Sequence, residues 1–481
     1  MASDHLSINA YTWACGLFAA TVIAQPEFLE YFDSFTPSIK GAVVSTFGAG
    51  TVFGVFFAGW CADALGRKKT ILIGAVIALI AGIIQAATVH VGMLIAGRIV
   101  GGFAVGIMNM TIPIYNSEIA PSHKRGLIAG LHAQFVGFGF AMANWVGFGC
   151  SYATGEFQWR FPLAFQCAPA LVMLIGIFWL PYSPRWLLEQ ERDDEALAVI
   201  RRLHGRADED NASVRAEFHQ MREQLRFEKS QYVAGWADLF NRPSNRKRLI
   251  LAVLVQAFTQ LSGINVINYY QTDLYKGLGM QGHNVTLLAG IYGLVGPLAN
   301  LVCLYYVDTW GRRKTLWITG IAMTLDMALV MGLSGGFQSS DNTVAKGFTI
   351  AFIFCFSMMH TRYSLGYNSI HYIYVPEIMS MAIRAKGSSI SVVCNVLINI
   401  IFNQVSPVAF DNVGYRYYSL FICTNIVGAI VVFLYFPETK GKTLEEIGQI
   451  FGDDVVVADL QQVREKIEAT DVEMIERVEQ K

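Results

Sequence analysis

Charge is scarce in this chain: Asp, Glu, Lys and Arg make up only 15% of 481 residues, whereas soluble domains carry about a quarter. That shortage, beside 53% hydrophobic residues, excludes an ordinary soluble domain and points to many membrane spans. A basic surplus is also missing. With 36 basic against 37 acidic residues, the chain has no electrostatic footprint for a nucleic-acid backbone. The eight cysteines fall mostly in apolar runs, without the paired spacing of disulfide or zinc frameworks. They read as small buried hydrophobes, so neither a metal nor another cofactor is expected. The start, "MASDHLSINA", has no basic run of the signal-peptide kind, so the first apolar run reads as a retained span. No nucleophile-and-base arrangement stands in the polar segments, and catalytic residues are not expected.

What the chain has is long apolar runs. A span needs about 20 residues at a rise of about 1.5 Å each. Candidate runs centre on 8–24, 41–62, 70–88, 92–114, 127–150 and 162–181, then on 249–271, 285–307, 315–335, 347–373, 384–407 and 416–436. Between the two sets of six lies a charged, amphipathic stretch, "EQERDDEALAVIRRLHGRADED", which reads as a helical linker. The expectation is an all-α integral membrane protein with twelve transmembrane helices in two pseudo-symmetric six-helix bundles. Its parts are 1–181, a linker at 182–248, 249–436, and a polar tail at 437–481.

Basic residues set the orientation. Arg67, Lys68 and Lys69 follow span two, Lys124 and Arg125 span four, Arg312, Arg313 and Lys314 span eight, and Arg384 and Lys386 span ten. Positive charge stays inside, so both termini and the linker are expected in the cytoplasm. The halves also repeat one another. "GWCADALGRKKT" returns as "YYVDTWGRRKT", "SEIAPSHKRG" as "PEIMSMAIRAKG", and "PYSPR" is answered by "PETKG". Such a duplicated bundle, with a site between its halves, is an architecture of alternating-access carriers.

Span seven carries "TQLSGINVINYY", unusually polar for a lipid-buried helix. Such groups are costly in hydrocarbon unless they face a partner or a wet cavity. Gln256 and Gln260 share a face, Ser262-Gly263 invites a break, and Asn265, Asn268 and Tyr269 restart the polar face. Amides donate and accept hydrogen bonds, which suits a small polyhydroxyl ligand. Amide contacts between packed helices are the plainer alternative.

These motifs together resemble the sugar porters of the major facilitator superfamily, most like fungal hexose or lactose permeases. The D-x-x-G-R-R/K motif stands twice, at Asp63–Lys68 and Asp308–Arg313, P-E-T-K-G is intact from Pro437 to Gly441, and "QLSGIN" matches the span-seven signature. The resemblance covers about residues 26 to 450 and implies the major facilitator fold. It implies that Gln260, Asn265, Asn395 and Asn399 meet sugar hydroxyls, that Tyr269 and Tyr270 form an outer gate, and that Tyr372 stacks in place of a Trp. Ala133 stands where many relatives have a sugar-binding Gln, with Gln134 next door as a candidate. It also implies two cytoplasmic networks, Asp63, Arg67, Glu118 and Arg125 in one half, Asp308, Arg312, Glu377 and Arg384 in the other. These would clamp the outward-open state.

The chain departs from the pattern at several places. Thr259 replaces the first of two glutamines, Tyr182 replaces the glutamate of P-E-S-P-R, and Tyr367–Tyr372 rewrites G-P-x-P-W, removing the prolines that soften span ten. Asp326 and Arg362 place two charges within spans nine and ten. They read as an ion pair, or Arg362 as an anchor for the carboxylate of a sugar acid. Proton-coupled relatives pair an acid of span one with an Arg of span four. Arg98 is present, but "INAYTWACGLFAATVIA" has no acid, so proton symport and facilitated flux both stay open. The reading is a plasma-membrane, monomeric carrier of a monosaccharide with the lipid bilayer as its other partner, and protons as a further partner if it is a symporter. A carrier of sugar acids and a membrane sugar sensor are the alternatives; the short tail counts against a sensor.

Overall fold

A computed structural model describes residues 22, 25–32, 36–119, 125–204, 214, 218–219, 221–223, 238–338, 342–379, 383–440 and 444–452. Nearly all of these are helical, and no strand occurs among them. The first expected span and the tail beyond 452 lie outside the described residues, as does much of the linker. Each of the other eleven expected spans coincides with helix.

In the first half these are α1 (Pro26–Tyr31), α2 (Pro37–Leu65), α3 (Arg67–Ala86), α4 (Val91–Ile119), α5 (Arg125–Cys150), α6 (Phe157–Phe165) and α7 (Cys167–Gly176). The linker contributes α8 (Pro184–Glu189), α9 (Asp193–His204) and α10 (Asp238–Asn241). The second half holds α11 (Pro243–Leu261), α12 (Ile264–Gly277), α13 (His283–Trp310), α14 (Arg312–Gln338), α15 (Asn342–Leu365), α16 (Tyr367–Ile378), α17 (Arg384–Val413), α18 (Tyr418–Tyr435) and the short α19 (Leu444–Ile450). Eight stretches among the described residues are long and apolar enough to cross a membrane by length and composition. One of them, Lys386–Tyr435, has 50 residues. As one helix it would be about 75 Å long, over twice a bilayer core. The 3₁₀ turn Gly414–Tyr417 divides it.

Local chemistry explains the ends. Helix α2 starts where Pro37 fixes the first turn and the Thr36 hydroxyl accepts the Ile39 N–H at 3.3 Å. It stops at Gly66, whose φ of +85° suits glycine. Helices α2 and α4 pack closely because Gly50 and Gly54 face Gly102 and Gly106. A Cβ at any of the four would run into the facing backbone.

Among the described residues the halves meet chiefly through α2 against α17 and α5 against α13, with α5 also against α16. In span numbers the first two are two with eleven and five with eight. Exchanging the halves turns each pair into the other, the relation that a duplicated bundle requires. The helix between α11 and α12 breaks at Gly263, which is left-handed at φ +85°. Span ten is also broken, although its prolines are gone. Gly366 (φ −120°, ψ −87°) separates α15 from α16, so a glycine just upstream of the rewritten motif supplies the bend.

Candidate functional site

A cavity of about 120 Å³ lies between the halves. At about 10–15 Å³ per water, that is room for about ten waters, the bulk of one small ligand. Its second-half wall carries Gln256, Thr259, Gln260, Asn265, Asn268 and Tyr269 around the Gly263 break, with Asn395 and Asn399 from α17. First-half residues on the opposite side include Phe47, Val105, Val136 and Phe140. No Asp, Glu, Lys or Arg stands among the described lining residues.

The amides form a connected set. Gln260 Nε2 donates to Asn395 Oδ1 at 2.8 Å, while Gln260 Oε1 accepts from Asn265 Nδ2 at 2.5 Å and Asn399 Nδ2 at 3.0 Å. Asn395 Nδ2 donates on to Gln256 Oε1 at 2.9 Å, and Asn403 Nδ2 to Asn399 Oδ1 at 2.7 Å. The break makes this possible: without it, Gln260 and Asn265 would stand on different faces of one continuous helix. Thr259, in the place of the expected second amide, turns its hydroxyl back to the Val255 carbonyl at 2.8 Å.

Of the expected ligand residues, Gln260, Asn265, Tyr269, Tyr372, Asn395 and Asn399 line the cavity. Two do not. Gln134 donates to the Pro297 carbonyl at 3.1 Å and lies 3.0 Å from the Asn300 amide, so it joins α5 to α13 outside the lining. The lining residues of α5 are Val136, Gly137 and Phe140, and at about 100° per residue Gln134 points away from most of that face. Tyr270 donates to the Asn403 carbonyl at 2.7 Å and is likewise buried outside the lining. Arg362 is not in the lining either; its Nε meets Asp326 Oδ2 at 2.6 Å, joining α15 to α14.

At the far ends of α2 and α13, arginines gather carboxylates. Arg67 meets Glu118 at 3.0 Å and Asp63 at 3.8 Å, and α8 of the linker adds Glu189 at 3.5 Å. Burial pushes the Glu189 carboxyl above its usual range, opposed by the Arg67 guanidinium. Arg312 meets Glu377 at 3.0 Å, and Arg384 donates to the Met379 carbonyl at 3.4 Å. The side chains of Arg125 and Asp308 lie outside the described residues. The two ends differ at the motif where Tyr182 replaces a glutamate. Glu438 accepts the backbone N–H groups of Arg312 and Arg313 at 2.8 and 3.1 Å, capping α14. At α3 no side chain among the described residues caps the first turn. Tyr182 instead stacks on Trp186, and Lys68 lies over the Tyr182 ring at 5.3 Å.

Residues 9–451 match the family model described as "Sugar (and other) transporter". The chain belongs to that family. It is 37% identical over 435 residues to the MFS-type transporter criB of Aspergillus cristatus, covering 90% of this chain and 89% of that one. It is 30% identical over 454 residues to a high-affinity glucose transporter of Kluyveromyces lactis, covering 91% and 82%. In fold it matches the proton:xylose symporter XylE bound to 6-bromo-6-deoxy-D-glucose, with a TM-score of 0.78 at 23% identity, over 93% of this chain and 97% of that one. These relatives are transporters and not enzymes, and the chain has the major facilitator fold.

Some cavity residues escaped sequence reasoning. Asn109 of α4 and Ser364 of α15 line the site, and Glu189 joins the Arg67 cluster. For Asn109 the signal was available, since an amide inside an apolar span is itself unusual. Glu189 gave none, because only folding brings the linker to α3.

Proposed function

We propose that this protein moves a small neutral sugar, a monosaccharide, across the plasma membrane by alternating access. The observation that carries the reading is the uncharged, amide-lined cavity between two duplicated halves, walled by the broken span seven. Amides match hydroxyl groups in both donor and acceptor roles. Glucose-transporter names among the relatives and the sugar named for XylE support the same class. Among the described residues the lining offers no cation for a carboxylate, and Arg362 is engaged by Asp326, so a neutral sugar is favoured over a sugar acid. The networks at Arg67 and Arg312 serve as the clamps that open and re-form as access alternates. The working form is a monomer with both termini in the cytoplasm.

Uptake of labelled monosaccharides by cells lacking their own hexose carriers tests the reading. Saturable uptake that depends on Gln260 and Asn265 is expected. Surface-expressed protein that moves no neutral sugar would overturn it. Adding a protonophore separates the modes: lost accumulation means symport, unchanged uptake means facilitated flux.

A further inference from the structure

Two sets stand out among the cavity's polar groups. In the first, Gln256, Gln260, Asn395 and Asn399 hydrogen-bond mainly to one another, with Asn265 tied to Gln260. In the second, side chains that line the cavity have no hydrogen-bond partner among the described residues. Asn109 Oδ1 on α4 and His360 Nδ1 on α15 are both buried and unpartnered. Asn368 on α16 lines the cavity and has no hydrogen bond to any described residue.

His360 is 6% exposed, and its ring is held in place. Tyr292 lies 4.4 Å away and Phe140 5.6 Å away, while Nε2 packs on α13 where Gly296 leaves no side chain. The ring therefore has one settled orientation in the cavity wall. Ser364 and Asn368 follow at successive intervals of four residues and line the same cavity, so one polar stripe runs across the Gly366 break. Burying an unpaired nitrogen or amide oxygen costs about 1–3 kcal/mol. Asn109, His360 and Asn368 therefore keep hydrogen-bonding capacity that no described residue uses, and a ligand hydroxyl can take it up.

The geometry points to a second hydrogen-bonding subsite in the cavity, formed by Asn109, His360 and Asn368, that binds a hydroxyl group of the neutral substrate. It rests on the sugar-transport reading and makes it more specific. The connected amides around Gln260 hold one side of the ring, and the second subsite chooses between sugars that differ at one hydroxyl. Asn368 stands where relatives of this kind have the glycine of G-P-x-P-W, so the subsite is a departure of this chain. Because Asn109 belongs to the first half and the other two to the second, a substrate held by all three also bridges the halves.

The test is uptake of the transported hexose and each of its singly deoxygenated forms by wild type, Asn109→Ala, His360→Gln, Asn368→Gly and, for comparison, Gln260→Ala. In wild type, removal of one particular hydroxyl is expected to lower kcat/KM tenfold or more, since a site built to bond a hydroxyl rejects its absence. In Asn368→Gly and Asn109→Ala that same pair should be transported within about twofold of each other. Gln260→Ala should keep that discrimination and lose a different one. Wild-type ratios retained in all three subsite variants overturn the subsite and leave sugar transport standing. No uptake of any neutral sugar by surface-expressed wild type overturns both. Failure of all three variants to reach the surface, when Gln260→Ala does, assigns these residues to folding and overturns the subsite.

Discussion

Lys40 Nζ and Asp273 Oδ2 meet at 2.5 Å, tying α2 of the first half to α12 of the second. The pair lies at the end of α2 opposite Arg67, so it ties the halves on the far side of the cavity from the arginine clusters. Both side chains are partly exposed, 21% and 39%, and such pairs contribute about 0–1 kcal/mol. Lys40→Met or Asp273→Asn should therefore shift the balance between the two open states by at most about fivefold. Labelling of a cysteine placed at Asn268, read from each side of the membrane, checks this. The exchange Lys40→Asp with Asp273→Lys should restore the wild-type labelling.

Gln260 holds three amides at once, Asn265, Asn395 and Asn399. Its removal strands hydrogen-bonding groups on two helices, at about 1 kcal/mol net for each bond. Gln260→Ala should lower uptake about tenfold to a hundredfold, with the loss in kcat/KM. Gln260→Glu keeps the shape but adds a charge to a neutral cavity, and should lower uptake further. Kinetics of sugar entry at equal surface expression decide it.

Gly263 has a left-handed backbone, and a Cβ there would lie 2.6 Å from Phe421 Cγ. Gly263→Ala combines backbone strain of about 1–2 kcal/mol with a collision against a buried ring. Surface expression should drop markedly and uptake per molecule should fall with it. Gly277→Ala, which meets open space in an ordinary helical position, should leave both unchanged.

Glu438 caps α14 through two backbone N–H groups. Glu438→Ala removes a charged cap of about 1 kcal/mol, and the thermal midpoint of purified protein should fall by ~2 °C. Tyr182→Glu tests the counterpart. It offers the uncapped first turn of α3 a carboxylate, and is expected to raise the midpoint unless the lost Tyr182–Trp186 stack outweighs it. A fall larger than that of Glu438→Ala would show that the stack is the stronger of the two.

Asp326 is 5% exposed and Arg362 40%. Breaking such a pair leaves the buried carboxylate uncompensated, at a cost of about 3–5 kcal/mol when burial is complete. Arg362→Ala should reduce the folded, surface-expressed population, and Asp326→Asn in the same chain should recover much of it. Because the pair lies outside the cavity, glucuronate should fail to compete with the neutral sugar in either protein.

Much of this molecule was legible in one dimension. Eleven of the expected spans coincide with helix because a run of about 20 apolar residues has few other structures open to it in lipid. The break at Gly263 was legible too, from a Ser-Gly pair between polar faces. The break at Gly366 was not, since attention to the missing prolines hid a glycine whose neighbour, Thr319, only the fold brings close.

The sequence by itself determined the class, the duplication, the uncharged character of span seven and the two arginine clusters, all properties of order along the chain. Tertiary structure alone decided which polar groups satisfy one another and which face an opening. A helix turns by about 100° per residue, so one position separates a ligand-facing amide from one that ties two helices, as at Gln134. That rotation is set by packing against neighbours distant in sequence. It turned Arg362 toward Asp326, joined Gln260 to α17, and left His360, Asn109 and Asn368 lining the cavity.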